Sequence, residues 1–253
     1  MVSRYDRRPA FEQVADALRE RITRGELEPG AQLPSFSQLV AEYGVAVTTA
    51  QRAIRTLKSE GLVEGQAGKG NYVRRERKIV TLSASYVKPD EGGKWTSWRA
   101  AAREQGMEGT QVVNAVESIE PPDQVADALR IPEGGRAVVR RRTMLLNGKA
   151  VQLADTYFPP EIAEGTALAQ PAKIPGGAAA LLDDLGYTTA ECDEFVSARM
   201  PTAKEGEVLD IDEGVPVIEI FRVTKAANDT PVQCEIFVMV ADRHRLKYSL
   251  PGC

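Results

Sequence analysis

Along the first sixty residues, apolar positions recur three and four apart, the spacing that gives an α-helix one buried stripe. Phe11, Val14, Ala15, Leu18 and Ile22 share a face, and Arg19, Glu20, Arg21 and Arg24 fall largely off it, so a first helix is predicted over about 9–24. Pro9 suits the first turn, where a missing N–H costs nothing. Gly25 ends the helix, and Leu27-Glu28-Pro29-Gly30 reads as a turn. A second helix starts at Ser35, which forms a capping box with Gln38 three residues later, each side chain satisfying a free backbone N–H. Phe36, Leu39, Val40 and Tyr43 supply its stripe, and Gly44 breaks it. After the short turn Val45-Ala46, a third helix is predicted over about 47–60. Ala50, Ala53, Ile54 and Leu57 face inward, while Thr48, Thr49, Gln51, Arg52, Arg55 and Lys58 stay outside.

Two helices joined by so tight a turn, the second with a polar and basic outer face, form a helix-turn-helix. Its second helix matches the width of the DNA major groove. Residues 62–64 and 71–73 then flank the tip Gly65-Gln66-Ala67-Gly68-Lys69-Gly70 and read as a small hairpin, or wing. Its glycines let backbone approach a phosphate, and Lys69 puts a charge at the tip. The candidate DNA contacts are Ser35 and Ser37 on the second helix and Val47, Thr48, Thr49, Gln51, Arg52 and Arg55 on the third. The wing adds Gly68, Lys69, Gly70 and Asn71.

Charge sharpens this division. The net charge of −4 does not suggest nucleic acid, yet residues 1–78 hold 14 Lys/Arg against 10 Asp/Glu, and residues 79–253 hold 18 against 26. A basic module is joined to an acidic one. At 253 residues the chain is long enough for two domains. No apolar run reaches the roughly 20 residues that span a bilayer, and the charged N-terminus lacks the apolar core of a signal peptide. Cys192, Cys234 and Cys253 are scattered and odd in number, which reads as free thiols in a reducing compartment. A cytoplasmic location with no membrane partner is expected.

Beyond the charged link Arg74-Arg75-Glu76-Arg77-Lys78, strands alternate with short helices. Leu129-Arg130-Ile131-Pro132-Glu133-Gly134 recurs as Leu209-Asp210-Ile211-Asp212-Glu213-Gly214, and Val138 and Arg142 match Ile218 and Arg222 at the same offset of 80. With one inserted residue, Asn147, Val151 and Gln152 match Asn228, Val232 and Gln233. Each copy reads as a helix (124–130; 203–209), a turn and two antiparallel strands. Two copies side by side predict one antiparallel sheet with helices on one face, and a crevice between similar halves is a natural ligand site.

Residues 9–73 resemble the DNA-binding domain of the GntR superfamily. The matching stretches are Gly25 to Gly30, Leu33-Pro34-Ser35, Glu42-Tyr43-Gly44-Val45, Thr49 to Leu57, Glu60-Gly61-Leu62-Val63 and Gly68 to Val73. Relatives often carry Glu-Arg after Leu-Pro-Ser and Ser-Arg at the entry to the recognition helix. Here those positions hold Phe36-Ser37 and Ala46-Val47. The resemblance thus implies a shifted operator, read by Thr48, Thr49, Gln51 and Arg52, with Val47 available to a thymine methyl. Residues 79–250 resemble the effector-binding domain of the HutC-like branch. The matches are Val138 to Arg142, Asn147-Gly148, Thr156-Tyr157-Phe158-Pro159, Leu209 to Arg222, Thr230-Pro231-Val232 and Ala241-Asp242-Arg243. That branch implies a chorismate-lyase-like (UTRA) fold acting as a sensor. Its sugar-phosphate members hold phosphate with two arginines at alternate positions. Arg142 matches the first and Met144 stands at the second, while Ala154 or Asp155 and Gln233 replace usual glutamates, implying a less charged effector. The expected pocket residues are Trp95, Thr96, Arg142, Met144, Gln152, Tyr157, Phe195 and Gln233. Trp95 and Trp98 flank a helix start at Thr96, and Trp98 is read as core.

The predicted fold class is α+β, with a winged helix-turn-helix over 1–74, a linker over 75–80 and an antiparallel-sheet domain over 81–253. No catalytic set stands out: His244 is the only histidine and lies between Arg243 and Arg245. Gly68-Lys69-Gly70 lacks the following helix of a phosphate loop. No metal set and no cofactor are expected. The reading is a ligand-responsive repressor that binds a palindromic double-stranded DNA operator as a homodimer. The alternative is a DNA-binding domain fused to a small metabolite-processing enzyme.

Overall fold

The computed structural model describes residues 7–66, 68–74, 79–83 and 98–248. The predicted pocket residues Trp95 and Thr96, the tip residue Ala67, the thiol of Cys253 and link residues 75–78 lie outside them. The chain divides into two compact units, Met1–Lys78 with Ile211–Val215, and Ile79–Asp210 with Pro216–Cys253.

In the first unit, α1 (Ala10–Thr23), α2 (Phe36–Tyr43) and α3 (Val47–Ser59) pack on one core. Val14 and Leu18 of α1 meet Leu39 of α2 and Ala50, Ala53, Ile54 and Leu57 of α3. Pro9 is the N-cap of α1, one position before its expected place in the first turn. The capping box on α2 is complete. Gln38 N donates to Ser35 Oγ at 3.3 Å, and Ser35 N donates to Gln38 Oε1 at 2.8 Å. Gly44 closes α2 at φ +67°, a left-handed conformation that lets the chain turn directly into α3 and that glycine adopts without a Cβ penalty.

The wing pairs β1 (Val63–Gln66) with β2 (Gly70–Val73), antiparallel, from Val63↔Val73 to Gln66↔Gly70. It is longer than the sequence pattern indicates, because Gly65, Gln66 and Gly70 are strand residues. Residues 30–33 run along its other edge. Leu33 N donates to Asn71 O and Val73 N to Ala31 O, both at 2.8 Å. The wing root is thereby tied to the turn after α1.

The second unit holds one six-stranded antiparallel sheet, in the order β4 (Gly109–Ile119), β5 (Ala137–Leu146), β6 (Lys149–Phe158), β9 (Thr230–Val240), β8 (Val217–Ala226), β7 (Thr189–Arg199). The repeat is explicit in this order: strand, helix, hairpin, then strand, helix, hairpin, with α5 (Asp123–Leu129) and α8 (Ala203–Val208) as the helices. Irregularities recur at the same offset. The ladder shifts after Met144 and after Thr224, and Arg130 and Asp210 both take positive φ. The halves join through β6 and β9, where Asp155 pairs with Ile236, its own counterpart at an offset of 81. A pseudo-two-fold axis passes between these two residues.

Strand alternation divides the sheet into two faces. Val139, Tyr157, Val223 and Cys234 pack with Val125 and Leu129 of α5 on one face. On that face Arg199 also joins Glu219 to Glu205 of α8. Val138 and Phe158 point the other way, onto Ile162 and Ala163 of α6 (Pro160–Ala163) and Leu182 of α7 (Ala178–Asp184). On that same face Met144, Ala154 and Phe237 pack against Trp98 and Ala102 of α4 (Trp98–Glu104). Helices therefore cover both faces, where the repeat pattern predicts one. The repeated helices do share a face, and α4, α6 and α7, which the repeat lacks, cover the other. β3 (Val80–Ser83) and β10 (His244–Lys247) pair in parallel as a separate ribbon.

Leu57→Ala empties a fully buried site in the first unit. It should destabilise that unit by about 2–5 kcal/mol, read as a lower urea midpoint for its helical signal.

Candidate nucleic-acid interface and effector cleft

The first unit sorts its charges. On α1, Arg19 bonds both Asp16 and Glu60, the latter at 2.7 and 2.9 Å, and the bond to Glu60 leads in raising its pKa. Arg21 reaches Glu42 at 3.3 Å, and Arg24 pairs with Glu20. Arg52, Arg55, Lys58 and Lys69 form no salt bridge among the described residues. Apart from Arg7 ahead of α1, the positive charge left without a carboxylate among the described residues of this unit lies on α3 and the wing.

Val47, Thr48, Gln51, Arg52 and Arg55 are exposed on α3, and Thr49 is half-buried beside the inward stripe. Val47 stands 49% exposed at the first helical position, behind an N-cap, Ala46, that offers no side-chain acceptor. Thr49 N donates to Ala46 O at 3.0 Å, so only the N–H groups of Val47 and Thr48 are left in that first turn for an outside acceptor. Val47, Gln51 and Arg55 follow at four-residue intervals and form one accessible flank. Arg52 differs from them, because its guanidinium lies 3.8 Å over the ring of Phe11. Ser35 and Ser37 are exposed at the start of α2, their Oγ atoms 3.0 Å apart. In the wing, Gly68, Lys69 and Gly70 are exposed and Asn71 is half-buried. Gln32, absent from the sequence prediction, donates from Nε2 to Lys69 O at 2.8 Å and braces the tip. Gly70 lies at φ +116° with that amide close against it, which leaves little room for a Cβ.

In the second unit, a small cleft of about 30 Å³ lies on the sheet face beneath α7. Its walls are Gln111 of β4, Arg140 and Arg142 of β5, Thr156 and Phe158 of β6, and Ile174, Gly177 and Ala178 at the entry to α7. The two arginines behave differently. Arg140 is committed to backbone, donating to the carbonyls of Ala167, Leu168 (2.9 Å), Gln170 and Ala172 (2.9 Å). Arg142 donates from Nη2 to Thr156 Oγ1 at 2.7 Å and stays 3.9 Å from Glu235. Its Nε is buried with no hydrogen-bond partner. Burial pulls the Arg142 pKa down, against the raising effect of Glu235.

The repeat supplies a control. Arg222, at the position equivalent to Arg142, is bonded by Glu194 and lies 3.3 Å from Glu235. Burial works against its charge too, but Glu235 and Glu194 outweigh it and raise its pKa. Among the described residues, this face buries three arginines (140, 142 and 222) against two carboxylates (Glu194 and Glu235).

The cleft brings together only part of the predicted pocket. Arg142 lines it, and Met144, Gln152 and Gln233 share its sheet face. The amides of Gln152 and Gln233 each keep a buried Oε1 without a partner. Tyr157 and Phe195 point to the opposite face, because each is an odd number of residues from a cleft-side neighbour on its strand. Trp98 is buried, donating Nε1–H to Leu145 O at 3.1 Å. Arg140, Gln111, Thr156 and Glu235 were not singled out in the sequence. Arg140 was within reach, since alternation along Arg140-Arg141-Arg142 puts the first and third on one face.

The comparisons follow the same two parts. Residues 10–73 match the family described as bacterial regulatory proteins, gntR family, and residues 104–245 match the UTRA domain family. An uncharacterized HTH-type transcriptional regulator of Streptomyces coelicolor is 31% identical over 250 residues, covering 95% of this chain and 92% of that protein. The mannosyl-D-glycerate transport/metabolism system repressor MngR of Escherichia coli is 30% identical over 152 residues, 60% of this chain and 59% of that protein. The crystal structure of a GntR-family transcriptional regulator superposes with a TM-score of 0.71 at 29% identity, covering 97% of this chain and 99% of that one.

His244 is buried in the second unit, Nδ1 3.0 Å from Val240 O and Nε2 without a partner. Burial pulls its pKa down to about 4. Between that value and the ordinary one near 6.5, the unfolded chain binds a proton that the folded chain refuses. Stability is therefore full above about pH 6.5 and falls as pH drops toward 4, by on the order of 3 kcal/mol from this group. Urea midpoints measured across that window should fall more for the wild type than for His244→Gln.

Proposed function

The chain belongs to the gntR family of bacterial regulatory proteins and carries a UTRA domain, and from that premise we propose a cytoplasmic, homodimeric repressor released from a palindromic operator by a small effector. The observation that carries the DNA half is the accessible flank of Val47, Gln51 and Arg55, set where a helix-turn-helix presents its recognition helix to base edges. Val47 and Thr48 offer methyl contacts to thymine, Gln51 suits adenine, and Arg55 suits guanine or phosphate. Arg52, held over Phe11, is directed to the DNA backbone. Ser35, Ser37 and the wing residues Gly68 to Asn71 complete the phosphate contacts. The functional division proposed is residues 1–74 for DNA, 75–80 as linker and 81–253 for effector and dimer.

The effector half rests on Arg142, buried at the cleft with unspent donors. We propose a compact ligand with one anionic group, which would balance three buried arginines against two glutamates. That is less charge than a sugar phosphate needs. No catalysis is proposed: burial lifts the Cys192 thiol to about 11 and that of Cys234 to about 12, and His244 is held neutral. None of these is a ready nucleophile or proton carrier at neutral pH. The MngR name supports repression as the sign of control.

The test is fluorescence anisotropy on DNA from upstream of the chain's own coding region. Gln51→Ala should cost about 1–3 kcal/mol of discrimination at one base position. Lys69→Ala should weaken all sequences equally and lower the salt slope by about 1. Equal affinity for intact and scrambled operators would sink the reading.

For the cleft, a thermal-shift screen of small carboxylates and phosphomonoesters should find a stabilising compound. Its effect corresponds to about 2.7 kcal/mol at a hundred times Kd and should vanish in Arg142→Ala, while operator affinity without ligand persists.

A further inference from the structure

We propose that Arg222 sits in a second, self-filled copy of the ligand seat at Arg142, where Glu194 supplies from within the chain the carboxylate that Arg142 takes from its effector. The proposal rests on the effector cleft inferred above and names the group that fills it, a carboxylate.

The two arginines match at the repeat offset of 80 and lie on one sheet face, but their neighbours differ. Arg222 is paired with Glu235 on β9 and with Glu194 on β7. Arg142 is paired with Ala154 on β6 and with Val113 on β4. Both carboxylates are thus missing from the first copy at the matching register. The Nε of Arg222 donates to Glu194 Oε1 at 2.5 Å, and its Nη2 meets the same oxygen. In Arg142, Nη2 donates to Thr156, and the buried Nε is the atom left without a partner. The donor unmet in one copy is the donor that Glu194 satisfies in the other. Leaving such a group unmet costs about 1–3 kcal/mol, so an acceptor placed there is favoured.

The difference arises where each edge strand slips register. In β7 the shift falls between Thr189 and Glu191, and Glu194 lands opposite Arg222. The bulged residue, Ala190, corresponds to position 110 of β4 at the repeat offset, yet the shift in β4 falls between Val113 and Ala115. Asn114, the counterpart of Glu194, is therefore passed over and turns to the other face, where its Nδ2 donates to Thr143 Oγ1 at 2.8 Å. A bulge that re-aims a side chain beside a cleft is a built feature of a sheet. Here it keeps the flank of Arg142 clear of acid.

Charge selects the class. With three arginines buried on this face against two glutamates, one monoanion evens the balance. A carboxylate carries that single charge and has the planar fork that matches a guanidinium. A phosphomonoester brings about 1.5–2 charges at neutral pH to a seat with one uncommitted arginine, since Arg140 is spent on backbone carbonyls. Tyr248 caps the filled copy: burial first, then its hydrogen bond with Glu194, push the Tyr248 hydroxyl up to about 12.

The test follows the Nε–H signals of Arg142 and Arg222 by NMR in the full chain, with acetate or methyl phosphate added at constant ionic strength. In the wild type, acetate should move the Arg142 signal, saturably, toward the position of carboxylate-bonded Arg222, which itself stays still. Glu194→Ala should make both signals answer acetate. Val113→Glu sets a carboxylate opposite Arg142, as Glu194 stands opposite Arg222. It should shift the Arg142 signal without any acetate and weaken acetate binding by about 10–100-fold, the loss of one charge-assisted bond. A folded Glu194→Ala chain whose Arg222 ignores acetate would overturn the proposal. Should that variant lose its thermal transition, Val113→Glu decides: a folded form with the wild-type Arg142 signal and acetate response overturns it equally. Arg142 answering methyl phosphate but not acetate would overturn the carboxylate while leaving the cleft in place. Silence to both probes, with a stabilising compound that still binds Arg142→Ala, would instead remove the effector-cleft reading beneath it.

Discussion

The second unit depends on one pairing, the antiparallel contact between β6 and β9. Each repeat alone is three strands with a helix, too small to bury both faces of its sheet. Joining the two at Asp155 and Ile236 makes a sheet wide enough to carry helices on both faces, and it sets every residue's side by parity. The cleft, the buried charge network and the two edges all follow from that register. A slip of one residue would send Arg142 and Glu235 to opposite faces.

The same parity explains what could be read from the chain and what could not. The capping box at Ser35 and Gln38, the glycine break at Gly44 and the inward stripe of α3 are local, and the structure matches them closely. The repeat was legible because its turns demand specific residues at fixed offsets, such as Asn147 and Asn228, both at positive φ. Tyr157 and Phe195 show where local reading fails. They carry chemistry suited to a pocket, yet the alternation that places Arg142 in the cleft turns them away. The brace from Gln32 to the wing and the stacking of Arg52 on Phe11 join residues about 40 apart, and no sequence spacing announces either.

Net charge proved a weak guide to the DNA surface, because most of the described arginines of the first unit pair within it. Arg19 ties α1 to the end of α3, and Arg21 ties α1 to α2. What remains for a partner among the described residues is defined by subtraction, and apart from Arg7 it falls on α3 and the wing tip. In the second unit Arg142 differs from its repeat mate: its Nε is buried without a partner, whereas Arg222 is bonded by Glu194 and Glu235. Both surfaces are marked by donors that the fold itself does not use.

The ribbon of β3 and β10 has a practical consequence. Val80, the first strand residue after the linker, is held by His244 near the chain's other end, so the two ends of the effector domain form one joint. β3 is also held by Gln105, whose side chain accepts from Thr81 N and donates to Thr81 O, so trimming the chain back to Arg243 would remove one of two anchors at the start of the effector domain. The freedom of a DNA-binding domain depends on how its tether is anchored. An edit at the far terminus would therefore act on that anchor without touching a single base contact.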